Sequence, residues 1–83
     1  MTDSIIIWNF LTKEYQNDSP VVFLYVCGNV RSPKTAIDRA TDLVTQIFHP
    51  AIPEYIIRAT IKGFFEMKKK QYMRGEFKPK PIY

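Results

Sequence analysis

The chain has 83 residues, of which 46% are hydrophobic and 14% aromatic, and its formal net charge is +4. This supply of apolar side chains is enough for a packed core, so wholesale disorder is not expected. A single cysteine and a single histidine exclude an internal disulfide framework and a zinc-finger ligand set, and no apolar run is long enough to span a membrane.

Two apolar segments open the chain, and both fit a helix or a strand. In residues 4–16, apolar side chains at positions 5, 8, 11 and 15 form a helical stripe, whereas alternation at 6, 8 and 10 fits a strand. Residues 20–27 are apolar throughout, which is typical of a buried strand. Ser19 as the N-cap, a proline at the first helical position and Gly28 at the end favour a short helix instead.

The two following segments have clearer helical patterns. Residues 33–48 carry an apolar face at helical period, so we expect five of their side chains to be buried: Ile37, Ala40, Leu43, Val44 and Ile47. Residues 53–73 form a second helix with an apolar face of Ile57, Ile61, Phe64, Phe65 and Tyr72. Within it, Glu54–Arg58 and Glu66–Lys70 have the i, i+4 spacing of ion pairs, and Gly63 suggests a close helix contact.

These elements predict a mainly α protein of about four helices, at 4–16, 20–27, 33–48 and 53–73. The alternative is an α+β fold in which residues 5–10, residues 21–27 or both are strands packed on the two clearer helices. In either case residues 1–74 are expected to form one compact domain. Residues 75–83 follow a helix-ending Gly75 and contain closely spaced prolines, so they are expected to form an extended basic tail.

Residues suited to catalysis are few. His49 stands beside a proline at a helix end, and Cys27 lies in the longest apolar run, where a buried and inert thiol is expected. Asp38 and Asp42 share one helix face, but that face is opposite the apolar stripe and in water, where a carboxyl group is poorly suited to acid–base catalysis. No phosphate-binding glycine loop or nucleophile motif is present. We therefore expect a protein that is not an enzyme and binds neither a metal nor another cofactor.

A helix-turn-helix is one interpretation of residues 20–48. Gly28 at the first helix exit, Val30 as an apolar anchor in the turn and Ser32 as the next N-cap suit two crossing helices. Lys34, Thr35, Asp38 and Arg39 would then face the DNA groove. The motif is degenerate, because the turn is about one residue too long and the aspartates would repel phosphate. An ordinary helical hairpin explains the pattern better.

The positive charge is concentrated in the last part of the chain. Residues 50–83 carry eight Lys and Arg against three Glu, a net charge of +5, with aromatic residues among them. Such a segment is typical of phosphate contact and base stacking, although a solvated lysine-rich helix end is the simpler alternative. The predicted nucleic-acid-binding residues are Lys34, Arg39, Arg58, Lys62, Lys69, Lys70, Arg74, Lys78 and Lys80.

Two classes of function agree with these patterns. One is a small cytoplasmic DNA-binding protein, such as a transcription regulator encoded by a phage or plasmid. The other is a protein-interaction module or inhibitor that docks on an acidic partner protein. The apolar residues leave room for an exposed patch or a homodimer contact in both cases. Steep salt dependence would distinguish phosphate binding from a protein interface with an apolar centre.

Overall fold

The computed structural model describes residues 2–79, and in them the chain forms four α-helices without a β-strand. The helices are α1 (Thr2–Glu14), α2 (Pro20–Cys27), α3 (Ser32–Phe48) and α4 (Glu54–Met73). The mainly α prediction is therefore confirmed. The α+β alternative is wrong, because residues 5–10 and 21–27 are helical. Of the predicted extended tail, residues 77–79 have no regular secondary structure, and residues 80–83 lie outside the described part.

The N-cap explains why the apolar segment α2 is a helix. Ser19 has an extended backbone, and its Oγ accepts a hydrogen bond from the backbone N–H of Val21 at 3.2 Å. This bond satisfies a donor that the first turn leaves without a partner, and Pro20 has no N–H to satisfy. Val22 and Tyr25 are the buried residues of the helix. Cys27, at the end of the helix, is exposed, so the prediction of a buried thiol is wrong.

The apolar face of α1 is rotated relative to the predicted stripe. Ile7 and Leu11 are fully buried, whereas Ile5, which the stripe places in the core, is 61% exposed. The helix also begins two residues earlier than expected, at Thr2. Asp3 therefore occupies the first turn, where a carboxylate interacts favourably with the helix dipole.

The core face of α3 agrees with its pattern in the middle and departs from it near the C-terminal end. Ala40 and Val44 are fully buried, and Ile37 and Leu43 pack partly against the core. Ile47 is 52% exposed, so its predicted burial is wrong. The predicted N-cap, Ser32, lies within α3, and Arg31 takes the N-cap position without a side-chain hydrogen bond.

Helix α4 organises the core because it packs against each of the other three helices. Ile57, Ile61, Phe64 and Phe65 are buried along one face, as predicted, and Tyr72 at the end of that face is partly buried. Phe65 is the centre of an aromatic cluster, with ring centroids 5.3 to 5.6 Å from those of Phe64, Tyr15 and Tyr25. The core therefore lies around the middle of α4, which leaves its opposite face at the surface.

Gly63 within α4 and Gly75 just after it have different roles. Gly63 is exposed, and a Cβ added there would meet nothing within 4 Å, so the expected close helix contact is wrong. Gly75 has a φ of 77°, in the left-handed region that favours glycine. Its N–H donates to the carbonyl of Tyr72, and the N–H of Glu76 donates to that of Gln71. This glycine ends α4, as predicted.

Candidate nucleic-acid interface

Helix α4 carries a surface of basic side chains opposite and beside its core face. Lys62, Lys69 and Lys70 belong to this surface, with Lys62 and Lys70 exposed and Lys69 partly exposed. Among residues 2–79, the ion pairs of the structure do not involve these three lysines. They are therefore free to contact an anionic partner without first breaking a salt bridge within the described chain.

One carboxylate of α3 joins two of the predicted site cations. Asp38 accepts a hydrogen bond from Arg58 Nη1 through Oδ1 at 3.1 Å, and its Oδ2 lies 3.5 Å from Lys34 Nζ. The hydrogen bond from Arg58 is the main cause that holds the pKa of Asp38 below its ordinary value. Asp38 therefore bridges cations from two helices and is more than a solvated charge. The expected Glu54–Arg58 pair is replaced by this contact between helices.

Glu66 also has a different partner from the predicted Lys70. The hydroxyl of Tyr25 donates to Glu66 Oε1 at 2.9 Å and ties α2 to the surface of α4. Burial first, and then the bond to the carboxylate, raise the pKa of Tyr25 to about 12. Glu66 is thereby directed toward α2, so the lysines of the last turns of α4 do not share it as a partner.

This bond predicts a pH dependence of stability. Because the pKa of Tyr25 is raised in the folded state, its contribution is fully present below the unfolded value of about 10 and is lost as pH rises toward 12. Replacing Tyr25 with phenylalanine removes the titrating group and retains the ring. Denaturation of both proteins between pH 8 and about 11.5 should therefore show the stability difference shrinking above about pH 10. Parallel profiles over this range would contradict the assigned contact.

The end of α4 has its own ion pair. Arg74 Nε donates to Glu76 Oε2, so this predicted site cation is partly neutralised although exposed. Phe77 follows, and its ring centroid lies 6.2 Å from that of Tyr72. The chain after Gly75 therefore turns back along α4. The basic residue that follows, Lys78, is exposed, and Lys80 lies outside the described residues.

Lys68 differs from its neighbours and was not predicted as a special residue. It lies at the end of the buried face of α4, and its Nζ is 5.4 Å from the Phe64 ring centroid and 5.8 Å from that of Phe77. Nζ also donates to Asn17 Oδ1 at 2.7 Å. Burial lowers the pKa of this lysine. Lys68 lies seven residues after Ile61 and four after Phe64, and this helical spacing places it on the core face of α4. The sequence therefore contained a signal for its partial burial.

The helix-turn-helix interpretation loses two of its supports. Val30 is 98% exposed and does not anchor the turn between α2 and α3. The buried Ser32 uses its Oγ to accept from the N–H of Asn29 and to donate to the Asn29 side chain, within the turn. Lys34 and Arg39 are exposed on α3, but within residues 2–79 Arg39 forms no ion pair with the Lys34–Asp38–Arg58 group.

No protein-family model, curated protein or solved structure matches this chain. Within residues 2–79, no helix has the length and apolarity needed to cross a membrane. The same residues contain no group of three or more His, Cys, Asp or Glu side chains placed to hold a metal ion.

Proposed function

We propose that this protein is a non-enzymatic DNA-binding regulator that contacts backbone phosphates through the basic surface of α4. The observation that carries the proposal is the unpaired state of Lys62, Lys69 and Lys70, at the surface of the most basic part of the chain. Lysine side chains on one helix can track a duplex backbone, and the release of counterions drives such binding. Contacts of this kind position a protein without selecting a sequence.

A surface cleft near the loop between α1 and α2 supports the non-enzymatic part of the proposal. The cleft has a volume of about 490 Å³ and is lined by the end of α1, the loop, the start of α2 and Leu43 of α3. Its charged residues are Lys13, Glu14 and Asp18, and its lining contains neither the histidine nor the cysteine. The two carboxylates, Glu14 and Asp18, are exposed to solvent, whereas general acid–base catalysis is favoured by a carboxyl group that is shielded from water.

The proposal predicts strong salt dependence and a defined loss on removal of the lysines. Replacing Lys62, Lys69 and Lys70 together with alanine should weaken binding to random duplex DNA at least tenfold at low salt. The slope of log affinity against log salt should become shallower by about 2.7, at about 0.9 for each phosphate contact. Fluorescence anisotropy with a labelled duplex across a salt series measures both quantities.

A matched control comes from α1. Lys13→Ala and Lys69→Ala each remove one positive charge, but Lys13 is exposed on the acidic N-terminal part of the chain. A specific basic surface predicts that only the Lys69 variant binds DNA more weakly. Equal losses would show that net charge alone matters, and no binding by the unmodified protein at low salt would refute the DNA hypothesis.

An acidic protein partner is the second candidate, and two exposed apolar residues favour it. Tyr55 is 75% exposed and Met73 is 73% exposed, and both lie on α4 toward the side that carries Lys62 and Lys69. A protein interface would bury such side chains between the lysines, with the aromatic residue as an anchor. Binding of this kind would decline less with salt than phosphate binding does.

A further inference from the structure

Lys34 and Arg58 form a pair of cations that could bind an anion, and in this structure the carboxylate of Asp38 lies between them. Lys34 from the first turns of α3 and Arg58 from α4 both reach the same carboxylate, one on each oxygen. The three side chains are accessible to water, with exposed fractions of 86% for Lys34, 41% for Asp38 and 39% for Arg58. An external anion can therefore approach both cations without a change in the core.

The ion pairs that Asp38 forms with Lys34 and Arg58 are weak. Ion pairs at a solvated surface contribute little to stability, because water and salt screen them and because ordering long side chains costs entropy. A guanidinium and an ammonium are the two cationic groups that proteins use to bind phosphate, and the guanidinium can donate two parallel hydrogen bonds. A phosphodiester carries the same single negative charge as the carboxylate and can replace it between the two cations.

We propose that Lys34 and Arg58 form a binding site for one backbone phosphate, and that Asp38 acts as its intramolecular competitor in the free protein. The inference rests on the proposed function, which it extends from α4 to the N-terminal part of α3. In the absence of DNA the carboxylate holds the two cations together. When a phosphate binds, the carboxylate loses these partners and lies next to a second negative charge, so it limits the affinity.

Two matched variants of α3 test this inference. Asp38→Asn and Asp42→Asn each remove one negative charge, and they lie one helical turn apart in α3. Asp42 is exposed and forms no ion pair among residues 2–79. With a labelled random duplex at low salt, we expect Asp38→Asn to tighten binding about fivefold relative to Asp42→Asn. Its salt slope should be steeper by about 0.9, because Lys34 and Arg58, freed from Asp38, together contact one further phosphate.

A third variant identifies the cation that receives the phosphate. Adding Arg58→Gln to Asp38→Asn should remove the gain in affinity and return the salt slope to that of the unmodified protein. Circular dichroism of each variant checks that the helices remain formed.

The outcomes separate this inference from the proposed function on which it rests. Equal affinities of the Asp38 and Asp42 variants, or weaker binding by the Asp38 variant, would overturn the competitor role while DNA binding itself stands. A gain that survives the loss of Arg58 would overturn the assignment of the site. No duplex binding at low salt by the unmodified protein and the Asp38 variant would overturn both proposals.

Discussion

Replacing Phe65 with alanine is expected to destabilise the protein by about 3–5 kcal/mol, a large part of the total for a domain of this size. The side chain is fully buried and contacts the rings of Phe64, Tyr15 and Tyr25. Replacing the ring removes buried apolar surface. It also leaves a cavity between α4, Tyr15 just after α1 and Tyr25 of α2. Chemical denaturation followed by circular dichroism measures the change in unfolding free energy.

Two further variants show whether the loss has this origin. Phe65→Leu refills most of the volume and should lose clearly less stability than alanine. Tyr55→Ala removes an aromatic ring from the same helix at a position that is 75% exposed, so a change within about 0.5 kcal/mol is expected. A small effect of Phe65→Ala, comparable to that of Tyr55→Ala, would show that the aromatic cluster is not the centre of the core.

Gly28→Ala should lower the free energy of unfolding by about 3 kcal/mol, at the upper end of the range for an overpacked site. An added Cβ would lie 2.2 Å from the Ser32 Cβ and 2.3 Å from the carbonyl oxygen of Leu24. That carbonyl accepts the hydrogen bond from the Gly28 N–H that ends α2. Neither neighbour can move without disturbing the connection between α2 and α3. The φ of Gly28 is −78°, so the close approach alone requires the glycine.

Gly63→Ala is the matched control for this substitution. The position is exposed in the interior of α4, with open space around an added Cβ. Alanine should therefore stabilise the protein by up to about 1 kcal/mol through its higher helix propensity. Thermal melts of the two variants should shift in opposite directions. A shift in the same direction for both would refute the packing explanation for Gly28.

Most of the fold could be predicted because the local signals agree with one another. The N-cap at Ser19 and the helix exit at Gly28 define α2 more reliably than its strand-like composition does. The periodic apolar residues of 33–48 predict the bounds of α3 to within one residue, and those of 53–73 predict the bounds of α4 equally well. In α1 the apolar residues nearly surround the helix, so periodicity alone could not select Ile7 over Ile5 as the core residue.

The candidate site was less accessible to prediction because its contacts join distant parts of the chain. The i, i+4 rule assigns Arg58 to Glu54, yet the packing of α3 on α4 presents Asp38 to it instead. Glu66 is likewise taken by Tyr25, forty-one positions earlier. The apolar neighbours of Cys27 predict a buried thiol, but in a helix as short as α2 only Val22 and Tyr25 are buried.

The central place of α4 has a consequence for the order in which the protein can fold during synthesis. Helix α1 is synthesised before the other three helices, but it packs mainly on α4, which follows them in the chain. Ile7 and Leu11 therefore lack the helix on which α1 mainly packs until residues 54–73 have been synthesised, and the nascent chain exposes apolar surface until then. The contact between α1 and α4 joins residues that are far apart in the sequence, so cooperative folding of this domain is delayed until α4 has been synthesised.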